Sequence, residues 1–382
     1  MEFVIKKSDL VHELQTVTGV VEKRATIPIL ANLLLETRND GLQVGASDIE
    51  VTIRGMADAK VVKEGSVTLP AAKLHEIARS LPEADVTFKL LDRHQVAISC
   101  NRTKYRISGQ ARDEFPPFPE VDLDQSIALP AGDLRQMIER VAFAITTEDP
   151  RYSLNGALVI IEQGKITLVA TDGHRLSYIS KPVELEVKDG PIKVIVPRKA
   201  LNEVAKLTAE LDDSAQVMFG KNENQVFFAV GRHKLTSSLL EGNFPRYENV
   251  MPKSCETEIV LPVDDLSKAV RRVSLLASDR YGRSVRLSLS SGKLGLTSTT
   301  EMGDAEETLA VDYDGPDLTV GFNARYLIEY FGAVGSPSVM LGLNPGASGE
   351  DGKAEAGDKP GRFTPEPAGD VDYRYIVMPM HL

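Results

Sequence analysis

The chain has 382 residues, 42% of them hydrophobic, and a formal net charge of -11; roughly one domain per 150 residues gives two or three domains. It holds no apolar run long enough for a membrane span and no basic-then-apolar leader before Val4, so a cytoplasmic protein is expected, with Cys100 and Cys255 as two reduced thiols. No CxxC or HExxH spacing offers a metal site, and the acidic balance argues against a generally nucleic-acid-coating surface but leaves room for a local basic one.

The first helix signal is KKSDL at 6–10, with Ser8 suited to the cap region. GLQVGASDIEVTIRG at 41–55 then alternates and breaks at a polar turn, as a strand pair does. LPAAKL at 69–74 opens a second helix, in which Pro is tolerated in the first turn and Leu74, Ile77, Ala78 and Leu81 share one face. VTFKLLDRHQVAISCNRTKYRIS at 86–108 reads as hairpins, and EFPPFPEVDLDQ at 114–125 as a linker.

The pattern then restarts. LPAGDL at 129–134 leads a helix with Leu134, Met137, Ile138 and Val141 on one side, and GKITLVATDGHRLSYIS at 164–180 reads as a strand pair. VPRKAL at 196–201 leads a helix with Leu201, Val204 and Ala205 inward; hairpins at 215–238 and the linker NFPRYENVMPKS at 243–254 follow. A third round has LPVDDL at 261–266 with Leu266, Ala269, Val270 and Val273, a strand pair at 292–311, and FNARYL at 322–327; Asp133, Asp264 and Asn323 suit helix starts. Residues 345–370, rich in Gly, Pro and charge, are expected to form a disordered loop. A last strand runs through Ile376 and Val377, and Pro379, without an N–H, leaves a short apolar lip of Met378, Met380 and Leu382.

The leucines closing these phrases, Leu10, Leu74, Leu134, Leu201, Leu266 and Leu327, recur every 60 to 67 residues. One helix and a few antiparallel strands have too little core to stand alone, so a pair of units is the natural domain. The class is α+β, and the linkers divide the chain into 1–124, 125–253 and 254–382. In the last five helical segments 11 Lys or Arg stand against 8 Asp or Glu, whereas the whole chain has 44 against 55. Arg79, Lys199, Lys206, Lys268, Arg271 and Arg325 fall away from the leucine stripes; ordinary solvated helix faces give the same pattern. Asp172, His174 and Ser177 are the residue types of a nucleophilic triad, but no GxSxG elbow surrounds the serine and no GxxxxGK[ST] is present, so no catalytic residue is assigned and no enzyme is expected.

Taken together, TIPILANLLLE at 26–36, RYSLNGALV at 151–159, ATDGHRLS at 170–177, EGNFPRY at 241–247 and YIVMPMHL at 375–382 resemble the bacterial DNA polymerase III beta subunit family, the replicative sliding clamps, over almost the whole chain except 345–370. The resemblance implies three tandem clamp domains, each of two helices packed on antiparallel sheets, forming half of a closed ring. It implies a non-catalytic protein without cofactors that encircles double-stranded DNA, reads no sequence, and tethers the replicative polymerase for processivity. The implied partners are a second copy, the polymerase III alpha subunit, a separate ATP-driven clamp loader, and other clients carrying a clamp-binding peptide.

Carried over residue by residue, the resemblance assigns DNA contact to Arg24, Arg79, Tyr152, Arg198 and Lys199. Glu148 departs from the family pattern, where an amide-bearing residue is frequent, and its carboxylate repels phosphate. A client-peptide pocket is implied at Arg151, Leu154, Thr171, Gly173, His174, Arg175, Leu176, Pro245, Val250, Ile376, Met378, Pro379 and Met380, and a dimer interface at Arg102 and Tyr105 on one edge and Leu275 and Leu276 on the other. Of the three equivalent turns, ASDIE, ATDGH and STTEM, only the middle one carries Gly-His-Arg; this reads as specialisation or as a turn in which Asp-Gly supplies backbone freedom. A monomeric scaffold that binds peptides and never encloses DNA is the alternative, separated by oligomeric state.

Overall fold

A computed structural model describes every residue except 23–26, 39–40, 121–125, 147–149, 188–189, 278–282, 345–353, 356–358 and 381–382, and gives only the backbone of Ala354 and Glu355. Six α-helices occur among the described residues: α1 (Lys7–Val17), α2 (Ala71–Ser80), α3 (Ala131–Ala142), α4 (Arg198–Ala209), α5 (Val263–Val273) and α6 (Ala324–Ala333). The six repeating leucines are 0% to 3% exposed, so each helix buries the stripe its sequence announces. One predicted inward residue, Ala205, is only half-buried, and Glu203 is buried instead.

The helix starts differ from expectation in their caps. Pro70 and Pro262 each end a strand and stand at the N-cap itself, outside the first turn, and Ser8 makes no cap bond. Asn323 does cap α6, its side-chain oxygen accepting from the N–H groups of Arg325 and Tyr326 at 2.9 and 3.4 Å.

The chain forms two compact units, residues 1–135 with 199–239 and residues 136–198 with 240–382. The first unit has a five-stranded sheet in the order Lys60–Lys63, Glu2–Lys6, Asp85–Leu90, Gln95–Cys100, Thr103–Ser108. Its eight-stranded sheet runs Ile127–Pro130, Gln216–Lys221, Gln225–Val230, His233–Ser238, Val51–Ala57, Gly41–Ser47, Asn32–Arg38, Gly65–Pro70. Helix α1 packs on α2 and on Gly41–Ser47 and Val51–Ala57, and Phe3 stacks on Phe88 at 4.8 Å.

The second unit repeats this plan. Its five-stranded sheet runs Gly303–Ala310, Lys293–Thr300, Ser284–Ser290, Leu318–Asn323, Ala354–Glu355. Its eight-stranded sheet runs Ile192–Pro197, Gly156–Glu162, Lys165–Thr171, Arg175–Pro182, Asp372–Val377, Gly361–Glu366, Ser338–Leu343, Thr257–Pro262. Helices α5 and α6 pack together, and Tyr330 of α6 centres an aromatic cluster with Phe331, Phe363, Tyr373 and Tyr375, the last stacked at 4.6 Å.

Both eight-stranded sheets join distant parts of the sequence. Leu235 pairs with Ile53 in the first unit, and Leu176 with Ile376 in the second. Compactness therefore follows the sheets and not the sequence thirds.

One expectation is corrected. Within the loop expected at 345–370, Gly361–Glu366 is a strand held between Ser338–Leu343 and Asp372–Val377. A single large apolar residue suffices there: Phe363 is 0% exposed in the aromatic cluster, and the neighbouring strands satisfy the backbone. No described helix is long and apolar enough to cross a membrane.

Candidate functional site

The middle turn of the repeat is wired by its own side chains. Thr171 Oγ1 donates to the Arg175 carbonyl at 2.6 Å and accepts from the Gly173 N–H at 3.1 Å, while Asp172 Oδ1 accepts from the N–H groups of His174 and Arg175, both at 3.0 Å. Gly173 has φ +89°, a conformation that side chains rarely adopt, and a Cβ there would lie 3.2 Å from Arg151 Nη2, whose guanidinium would have to shift by a few tenths of an ångström. The last strand docks alongside: Leu176 is paired with Ile376, and the Met378 N–H donates to the His174 carbonyl at 2.9 Å.

Arg175 is locked beneath the turn. Its Nε donates to Asp172 at 2.9 Å, Nη1 to Glu329, and Nη2 to the Phe143 carbonyl at 2.6 Å, and the guanidinium carbon lies 4.3 Å from the Tyr326 ring centre. Burial opposes its charge, yet Tyr375, Glu329 and Asp172 raise its pKa above the ordinary arginine value. Burial pushes Glu329 up, but hydrogen bonds from Arg325 and Arg175 win and hold its pKa below the usual value. Arg175 therefore supports the turn from below.

Above this frame lies a cavity of about 150 Å³ lined by Arg151, Leu154, Thr171, Gly173, His174, Arg175, Leu176, Pro245, Arg246, Tyr247, Val250, Ile376 and Met378. Leu176, Tyr247 and Ile376 of this lining belong to an apolar cluster in which buried Val169, Leu176 and Ile376 pack with Leu158, Tyr178, Phe244, Tyr247 and Met251. Tyr178 and Tyr247 meet at 5.9 Å, and burial together with Glu248 pushes the Tyr247 pKa up to about 12, so it offers a phenol O–H, not a phenolate. Such a site accepts apolar side chains and orients them with a few polar groups at its rim.

Eleven of the residues expected in the pocket line this cavity, and two do not. Pro379 and Met380 lie beyond it, because the Met380 N–H is drawn to the Gly321 carbonyl at 2.8 Å, turning the tail toward the strand Leu318–Asn323. Sequence reasoning missed Arg246 and Tyr247; their signal was an Arg-Tyr pair directly after Pro245 in an otherwise polar linker. The triad types do not assemble. Ser177 Oγ is buried and donates to the Arg140 carbonyl at 2.6 Å, whereas His174 is exposed.

The cations expected to meet DNA have unequal surroundings. Arg79 is exposed in the last turn of α2, and Tyr152 is 74% exposed. Half-buried Arg198 donates Nη1 to the Ile145 carbonyl at 3.1 Å. Lys199 is also half-buried, and its ammonium is bound to Asp48 and, at 2.7 Å, to the Val20 carbonyl. Arg24 and Glu148 lie outside the described residues.

The dimer candidates sit on or beside strands that, among the described residues, end two sheets. Thr103–Ser108 ends the five-stranded sheet of the first unit, with Tyr105 36% exposed and Arg102, Lys104 and Arg106 exposed. Gly303–Ala310 ends that of the second unit, with Glu301, Asp304 and Glu306 exposed; the turn Ser274–Leu276 packs against it, carrying Leu275 81% exposed and Leu276 half-buried.

Three family models match consecutive stretches: DNA polymerase III beta subunit, N-terminal domain at residues 1–119, central domain at 128–246 and C-terminal domain at 248–349. A beta sliding clamp of Pseudomonas putida is 33% identical and one of Escherichia coli 30% identical, each over 384 residues and 100% of both chains. Among solved structures, a sliding clamp (DNA polymerase III subunit beta) of Pseudomonas aeruginosa bound to griselimycin superposes with TM-score 0.89 at 31% identity, and pol III beta of Caulobacter crescentus with 0.86 at 33%, both covering 100% of each chain.

Proposed function

The chain belongs to the DNA polymerase III beta subunit family, the beta sliding clamps, and on that premise we propose that two copies close head to tail around duplex DNA and hold the replicative polymerase on it. Domains near 1–124, 125–253 and 254–382 supply half of the ring. The observation that carries this reading is, among the described residues, the pair of sheet edges of opposite charge, Arg102, Lys104 and Arg106 on one and Glu301, Asp304 and Glu306 on the other. An exposed edge strand invites pairing with another chain, and opposite charge selects which edge it pairs with. Pairing these edges between two copies removes both and makes a closed C2 ring.

A closed ring retains DNA by topology, so it needs cations that attract phosphates but no base contacts, and no bond need be made or broken. Arg79, Tyr152, Arg198 and Arg24 are the positions proposed for that contact. Lys199 contributes less, because Asp48 already neutralises it. The cavity beside Gly173 takes the apolar anchors of client peptides, from the polymerase alpha subunit, the loader and other proteins, and methionine at its rim suits several different side chains.

The test is retention. Loaded onto a nicked plasmid by an ATP-driven clamp loader, the protein stays bound to the circle through gel filtration and is lost when the same DNA is cut once. Equal retention on circular and linear DNA would sink the ring.

A further inference from the structure

Resting on that dimeric reading, we infer that Met302 is an apolar anchor of the contact between copies, forming with Leu275 and Leu276 a patch that the Tyr105-bearing edge of the second copy covers. Among the described residues, Met302 and Leu275 are the most exposed large hydrophobic side chains, at 90% and 81%. Met302 directly precedes Gly303, the first residue of the edge strand, and Leu275 sits in the turn that packs on that strand. The turn Ser274–Leu276 packs on the strands Lys293–Thr300 and Gly303–Ala310, and a Cβ built on Gly303 would lie 3.9 Å from Leu276 Cδ1, in van der Waals contact.

The position of Met302 is fixed even though its side chain is bare. Its N–H donates to Thr300 Oγ1 at 3.3 Å, closing the hairpin tip, and the next residue, Gly303, at φ +137°, starts the edge strand. Next to the turn, Arg272 in the last turn of α5 is bound to Glu307 by two hydrogen bonds, which tie the end of that helix to the edge strand. The patch is thus a preformed surface, and covering it requires little ordering of the chain.

The occupant is a second copy because the patch continues directly into the acidic edge of Asp304 and Glu306. A partner must offer cations along a strand and an aromatic or apolar group among them. The edge Thr103–Ser108, with Lys104 and Arg106 flanking Tyr105, offers both in one strand. Charge brings the right edges together, and burial of Met302 and Leu275 against the tyrosine ring, with its favourable sulfur–aromatic contact, slows their separation.

Sedimentation velocity over a dilution series reads the dimer dissociation constant directly. Met302→Glu should raise it about tenfold or more, whereas Met302→Leu should stay within about threefold of wild type. Leu275→Lys/Leu276→Lys serves as the control for the dimer itself, and binding of a client peptide at the Gly173 cavity reports that each variant is folded. A Met302→Glu constant within about twofold of wild type, in a protein whose double-lysine control is monomeric, would overturn the role of Met302 while leaving the ring intact. A double-lysine control that stays dimeric would overturn both.

Discussion

At the scale of single residues, two turns of the same design show what a glycine is worth. Ser47, Asp48, Ile49 and Val51 repeat the wiring of Thr171, Asp172, Gly173 and Arg175: the Ile49 N–H donates to Ser47 Oγ at 3.1 Å and the Val51 N–H to Asp48 Oδ1 at 2.6 Å. Ile49 has φ +82° where Gly173 has +89°, although a β-branched side chain is strained in that region, at a cost of roughly 1–3 kcal/mol. Since Ile49 is 61% exposed, replacing it removes little buried surface. Ile49→Gly should therefore raise the unfolding free energy by about 1 kcal/mol, the released strain exceeding the roughly 0.5–1 kcal/mol that glycine loses in chain entropy. Urea denaturation measures this, and a destabilised variant would mean that Ile49 makes a contact its exposure does not suggest.

The pairing of elements gives two copies of the turn different surroundings. In the second unit the strand after the turn presents Leu176 beside Ile376, both apolar; in the first the corresponding pair is Thr52 beside Thr236. In addition, Phe118 from the first linker lies over Gly45, where a Cβ would come within 2.1 Å of its ring, whereas Val169 holds the matching place in the second unit. The first linker thus packs onto its own unit, with buried Phe115 and partly buried Phe118 joining Ile29, Leu30 and Leu34. The terminal strand also divides its residues between tasks. Met378→Ala should weaken client-peptide binding about fivefold or more, as loss of an apolar anchor does, whereas Met380→Ala should leave it within about twofold. Calorimetry with a polymerase-derived peptide distinguishes them, and equal losses would put Met380 back in the pocket wall.

For the whole molecule, an acidic protein that must hold a polyanion has its charges sorted by place. Several helix cations are already spoken for, Lys206 by Glu203, Lys268 by Asp264 and Arg325 by Glu329, so the surplus counted in the sequence overstates the free positive charge. A weak electrostatic grip is compatible with sliding, because residence then depends on closure more than on counterion release. Replacing Leu275 and Leu276 together by lysine should give folded monomers that still bind client peptide but wash off circular DNA as readily as off linear DNA. Sedimentation and plasmid retention check this, and a variant that remains on the circle would show closure to be made elsewhere.

The sequence by itself determined the helices, most of the strands and the repeat, because burial of one leucine-led stripe per helix and one face per strand leaves a periodic trace. It also named eleven of the residues that line the cavity beside Gly173, since the Gly-His-Arg turn and the apolar exit through Ile376 are local signals. It did not reveal the strand Gly361–Glu366, whose single buried phenylalanine stands in a polar segment, or the wall residues Arg246 and Tyr247. Nor did it tell that Lys199 is held by Asp48 and that Met380 is drawn away to Gly321. Those outcomes depend on partners far off along the chain, and only the tertiary structure, by pairing strands across sequence distance, decides which donors and acceptors meet.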